Sequence, residues 1–127
     1  MKKIRPTPQP PLTEENAKVL FDGFNECFFH GRISSGVRVR FKSKAELLKL
    51  SPEGADACWR PGLGELWGRD IYKESEQVFC ILLLHEMLHA MLEGEYVGHP
   101  GRNRGHGMIY QVELWRLIRA GAYDDLF

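Results

Sequence analysis

The stretch "LLLHEMLHAML", residues 82–92, sets two histidines and a glutamate in a run of leucines and methionines. Buried without partners, each polar group would cost roughly 2–7 kcal/mol. The run therefore reads as a core helix only if something strong satisfies them. Ser75 starts that helix, Glu76 lies in its first turn and Gly94 stops it. His85 and His89 are then one helical turn apart, and both imidazoles can reach the same point. Two neutral imidazoles so spaced can hold Zn²⁺ at about 2.0–2.1 Å each. Glu86 projects beside the metal, where it can take a proton from water that zinc acidifies to a pKa of about 7. The spacing is that of HExxH, which supplies a Lewis acid, a nucleophile and a base for amide hydrolysis. The plainer alternative is a pair of histidines hydrogen-bonded to their neighbours. It suits a lone core histidine better than two in helical register split by a glutamate.

A catalytic zinc commonly has three protein ligands and one open position. The remaining histidines are His30, His99 and His106, with Glu93 and Glu113 as weaker carboxylate candidates. His106 stands between two glycines at the start of the last helix and is the preferred third ligand. A helix aims a side chain better than a loop does, and glycines let the backbone come close. His99, in the loop after Gly98, stays the alternative, and both glutamates read as solvent-facing helix charges. The compact metzincin form is absent, because its glycine and histidine positions hold Leu92 and Glu95. One Zn²⁺ per chain is the expected cofactor.

The rest of the chain suits one domain around such a site. Its 127 residues allow a single sizeable core, and 43% hydrophobic with 27% charged residues is an ordinary globular balance. Seventeen basic residues offset seventeen acidic ones, so overall charge announces neither a nucleic acid nor a membrane surface. Cys27, Cys58 and Cys80 are odd in number and not closely spaced, which argues against a disulfide framework or a cysteine-rich zinc finger. Cys27 and Cys80 read as small hydrophobes in apolar helix patterns. The basic start "MKKIRPTPQPP" has no apolar segment behind it, and no run reaches the roughly 18 apolar residues of a membrane span. A reducing, cytoplasmic setting is the expectation, with no membrane and no obligate partner.

Residues 1–12, with four prolines, read as an extended arm preceding a domain over 13–127. Thr13 caps a first helix whose Ala17, Leu20, Phe21, Phe24, Cys27 and Phe28 form one apolar face, and Gly31 ends it. "GVRVRFK" (36–42) alternates as a half-buried strand, and "KAELLKL" makes a short helix. Strands follow at Ala57–Arg60 and Glu65–Tyr72 around the turn "RPGLG". A last helix runs from about Gly107 to Arg119 with Met108, Val112, Trp115 and Ile118 as its inner face.

Tyr72, Tyr96 and Tyr110 are candidates to polarise a scissile carbonyl, although each reads first as a packed tyrosine with its hydroxyl at the surface. Arg102 and Arg104 read as solvated loop charges near the cleft. Arg38, Arg40 and Lys42 on one strand face, with Trp59 and Trp67 nearby, have the makings of a single-strand nucleic-acid platform. A wet strand face beside core tryptophans is the favoured reading. Cys58 has no base or metal partner at useful spacing.

Three blocks resemble the SprT-like metalloproteases that include Spartan. "LFDGFNECFFHGRI" (20–33) is similar to the family's first helix, "LLLHEMLHAML" to its zinc helix, and "RGHGMIY" (104–110) to its late glycine-histidine-glycine block. The resemblance spans roughly residues 15–119. It implies zinc ligands His85, His89 and His106, with Glu86 as general base. It also implies an α+β, compact zincin-like core, with three main helices and a small β-sheet beside the zinc-binding helix. The implied activity is zinc-dependent proteolysis of protein substrates, in eukaryotic members of proteins crosslinked to DNA. Many relatives carry a zinc ribbon or long basic tail; here there is no CxxC pair, and "YDDLF" is acidic. Any DNA association is therefore expected to be weak or indirect. A non-catalytic zinc-stabilised binding domain is the alternative function.

Overall fold

A computed structural model describes residues 11–50, 56–95 and 107–126. The chain is α+β, with four helices and one three-stranded sheet among the described residues. In order these are α1 (Glu14–Phe28), β1 (Arg38–Lys42), α2 (Lys44–Leu48), β2 (Ala57–Arg60), β3 (Glu65–Arg69), α3 (Glu76–Glu95) and α4 (Met108–Ala120). A 3₁₀ turn, Asp70–Glu74, joins β3 to α3. The sheet order is β1-β3-β2, with β1 parallel and β2 antiparallel to the central β3.

The opening stretch forms the middle of α3, which is apolar on nearly every side because it is covered on nearly every side. Phe79, Leu83, Leu84, Met87, Leu88 and Met91 are all buried. The sheet lies against it through Val39 and Leu66, while Phe79 packs on Phe41 with ring centroids 5.1 Å apart. Gly68 makes that approach possible: a Cβ there would stand 3.1 Å from Phe79 Cε1.

Local signals set the ends of the other elements. Thr13 Oγ1 accepts the Asn16 N–H at 3.0 Å and starts α1, whose Glu14 carboxylate accepts the Phe41 N–H at 2.9 Å. Asn25 turns into the core, donating from Nδ2 to the Ile33 carbonyl and accepting the Ile33 N–H, and so fastens the turn that leaves α1. That geometry puts Ala17, Phe21 and Asn25 inward, so Cys27 is exposed rather than a core residue; Cys80 is buried as expected. Ser43 and Glu46 form a capping box on α2. Leu12, at the end of the proline-rich arm, is buried and its N–H reaches the Lys73 carbonyl at 2.8 Å.

Two further expectations need correction. The strand expected over Glu65–Tyr72 stops at Arg69, because its partner β1 ends at Lys42, where Ser43 begins α2. Asp70–Glu74 then coils as a 3₁₀ turn. The inner face of α4 is Tyr110 and Leu117, helped by Ile109 and Leu114. Met108, Val112, Trp115 and Ile118 face solvent instead. Arg116 fixes this rotation by donating to the Phe28 carbonyl at the end of α1 (3.1 Å) and to Glu113 (2.8 Å).

Candidate metal centre

His85 and His89 stand one turn apart on α3, with ring centroids 5.0 Å apart and planes at 70°. Both are half-buried, whereas Glu86 is only 9% exposed. His85 Nε2 lies 3.8 Å from Glu86 Oε2, so the carboxylate sits directly beside the imidazole. Glu86 accepts the backbone N–H of Trp59 on β2, which ties the sheet's outer strand to the helix. Around it lie Val39, Leu66, Phe79 and Leu83, a nearly wholly apolar setting. That burial pushes the Glu86 carboxyl up to about 7, against the smaller opposing pull of the Trp59 N–H. A carboxyl poised there can take and return a proton at neutral pH.

The third element of the site comes from α4. Tyr110 is buried in its first turn and its hydroxyl lies 2.8 Å from His85 Nδ1. Its ring also lies 4.9 Å from His89, centroid to centroid. Burial raises the phenol pKa far above its ordinary value. Tyr110 therefore does not carry its hydroxyl at the surface, as a packed tyrosine was expected to do. The sequence showed that Tyr110 follows His106 by four residues, but not that its hydroxyl meets the first histidine. The Trp59 N–H contact had no sequence signal at all, since any residue type offers a backbone N–H.

The other candidates separate clearly. His30 lies exposed in the turn after α1, with φ of 54°. Glu113 pairs with Arg116 at 2.8 Å and with Arg32 at 3.5 Å, so it is a helix-docking charge. Tyr72 belongs to the 3₁₀ turn, where burial and a hydrogen bond to Asp56 raise its pKa. His99, His106, Tyr96, Arg102 and Arg104 lie outside the described residues. Among the described residues no cluster of three or more His, Cys, Asp or Glu forms a metal site. The pair present fits zinc by donor chemistry: two accessible imidazoles on one helix face with a carboxylate beside them.

The sheet's outer face carries the strand cations. Arg38 and Arg40 lie 2.7 and 3.5 Å from Glu65, Arg40 is also 3.3 Å from Glu14, and Lys42 is 3.7 Å from Glu46. Trp67 shares this face, with Lys42 and Arg60 over its ring. Trp59 points inward instead and packs against the core. The two tryptophans therefore do not form one stacking surface. No helix among the described residues is long and apolar enough to cross a membrane. Comparison with protein-family models, curated proteins and solved structures finds no match.

Proposed function

We propose that the protein is a zinc-dependent endopeptidase of the SprT-like kind, with His85, His89 and His106 holding one Zn²⁺ and Glu86 as general base. One observation carries the reading. The two HExxH imidazoles share a helix face beside a buried carboxylate whose pKa is raised to about 7. The α+β fold supports it to the extent that the apolar helix bearing the histidines lies against a small mixed sheet. Chain continuity favours His106 over His99: His106 directly precedes Gly107, the N-cap of α4, whose first turn brings Tyr110 against both histidines.

A bound zinc would supply a Lewis acid and lower the pKa of a water to about 7. Glu86 takes the proton of the attacking water and passes it to the leaving amine. The Trp59 N–H orients the Glu86 carboxylate for both transfers. Among the described residues β2 pairs with β3, and the Trp59 N–H that points away from β3 is taken by Glu86. Protein substrates, including proteins bound or crosslinked to DNA, belong to this proposal through the SprT-like resemblance, as does a weak or indirect association with DNA. The free thiols Cys27, Cys58 and Cys80 support a reducing, cytoplasmic setting.

Purified protein should hold about one zinc per chain. Glu86→Gln should keep the metal and lose cleavage of an unfolded protein substrate, by about 10²-fold or more. Full cleavage by that variant overturns the mechanism. Zinc binding without cleavage by the wild type, with and without DNA, leaves the non-catalytic zinc-stabilised domain as the function.

A further inference from the structure

We propose that the face of α3 just before His85, formed by Val78, Ile81 and Leu82, receives an apolar side chain of the substrate polypeptide beside the scissile bond. The inference rests on the endopeptidase reading above and adds the kind of side chain that is selected. Between Phe79 and Leu92 every residue of α3 is buried except Ile81, Leu82, His85 and His89. Val78, just before this stretch, is 40% exposed. At 3.6 residues per turn, Val78, Leu82, His85 and His89 fall within about 60° of one another around the helix, with Ile81 at their edge. They form one seam, and the buried remainder of this stretch cannot meet a substrate.

The aliphatic part of the seam lies on one side of the histidines; on the other side it runs on to Glu93. Leu82 and Val78 precede His85 by about 4.5 and 10.5 Å along the helix axis. An extended peptide advances about 3.3–3.6 Å per residue. In a peptide lying along the seam with its scissile carbonyl at the histidines, the adjoining side chain therefore reaches Leu82, and one about three residues out reaches Val78. Leu82 also lines a small cavity with Ala57, Phe79 and Glu86. Three aliphatic side chains offer neither charge nor hydrogen bond, and Glu86 is buried with the Trp59 N–H as its partner. A charged substrate side chain here would lose its water without gaining a partner, whereas an apolar one gains by leaving water. The Gln77 side chain donates to the Leu126 carbonyl at 2.7 Å, so the C-terminal turn borders the seam beside Val78.

The test uses the full chain in two states. Zinc-loaded protein digests a library of proteome-derived peptides, with cut positions read by mass spectrometry. Leu, Ile, Met and Phe should be enriched about 10-fold over Asp and Glu at one of the two positions flanking the cut. Leu82→Lys should reverse that preference, enriching Asp and Glu there by about 10-fold over the wild type. Val78→Lys, at an exposed site, should introduce an acidic preference two or three residues further out on the same side. Metal-free protein, methyl-labelled at Ile, Leu and Val, is titrated with a blocked Gly-Gly-Leu-Gly-Gly peptide and with its Asp counterpart. The leucine peptide should shift the Val78, Ile81 and Leu82 methyl signals more than the aspartate peptide does. Cutting with no apolar preference, or with a profile that Leu82→Lys leaves unchanged, overturns the subsite and leaves the endopeptidase reading standing. Where Leu82→Lys does not fold, the Val78→Lys profile decides in its place. Methyl shifts at the seam in a protein that cuts nothing overturn the endopeptidase reading and leave the seam as an apolar peptide site.

Discussion

Replacing Glu65 by glutamine should weaken the fold by about 1 kcal/mol at pH 7 and by almost nothing at pH 3. Glu65 lies at the start of β3, where Oε1 accepts the Trp67 Nε1–H at 2.8 Å and Oε2 lies 2.7 Å from Arg38 and 3.5 Å from Arg40. The Trp67 hydrogen bond first, and the two guanidiniums after it, hold the carboxyl below its usual range. The carboxylate is covered mainly by arginine, however, and the Arg38 side chain is 62% exposed. Water therefore screens the pair. The relevant scale is the roughly 1 kcal/mol of a good surface network, not the 3–5 kcal/mol of a broken buried pair. Glutamine keeps an acceptor for Trp67 and removes only the charge. Alanine removes both, and the stranded indole N–H raises the cost to about 2–3 kcal/mol. A carboxyl whose folded-state pKa is depressed contributes stability above its unfolded value of about 4.3, and that contribution is lost as pH falls through the lower folded value. Urea denaturation should show a midpoint gap of about 0.3–1 M at pH 7, with unchanged slope. The gap should close on acidification. Equal midpoints at pH 7, or a gap undiminished at pH 3, would refute the reasoning.

Two further substitutions test the core. Leu117→Ala should cost about 2–5 kcal/mol because the side chain is fully buried, whereas Trp115→Ala should change stability by no more than about 0.5 kcal/mol; denaturant melts giving the reverse order would turn α4 around. Asn25→Ala removes both buried bonds to Ile33 and should lower the melting temperature by about 5–10 °C in calorimetry, with no shift if the turn after α1 does not depend on them.

The long apolar helix α3 was legible because its signal is local: the spacing of His85 and His89 and the apolar residues around them determine both element and candidate site. The last helix was legible in extent but not in rotation. Met108, Val112, Trp115 and Ile118 satisfy helical spacing as well as Tyr110, Leu114 and Leu117 do. What separates the two faces is long-range: the Phe28 carbonyl that Arg116 reaches, and the space beside His85 that Tyr110 fills. The length of β3 was missed for a similar reason, since a strand ends where its partner ends and β1 is 23 residues or more away in sequence. Glu86 was legible as a candidate base from its place after His85. Its raised pKa was not, because it comes from side chains of β1, β3 and α3 that meet only in the fold.

The docking of α4 has a consequence for how the protein opens. This helix meets the histidine pair at its first turn through Tyr110, and the exit of α1 further along through Arg116. Whatever lifts α4 takes the hydroxyl from His85, and whatever grips His85 holds α4 down. A metal held at His85, as proposed, would thus be linked reciprocally to the hydrogen-exchange protection of the α4 amides. A loosened contact at the far end of α1 would be felt as a weaker grip at the histidines.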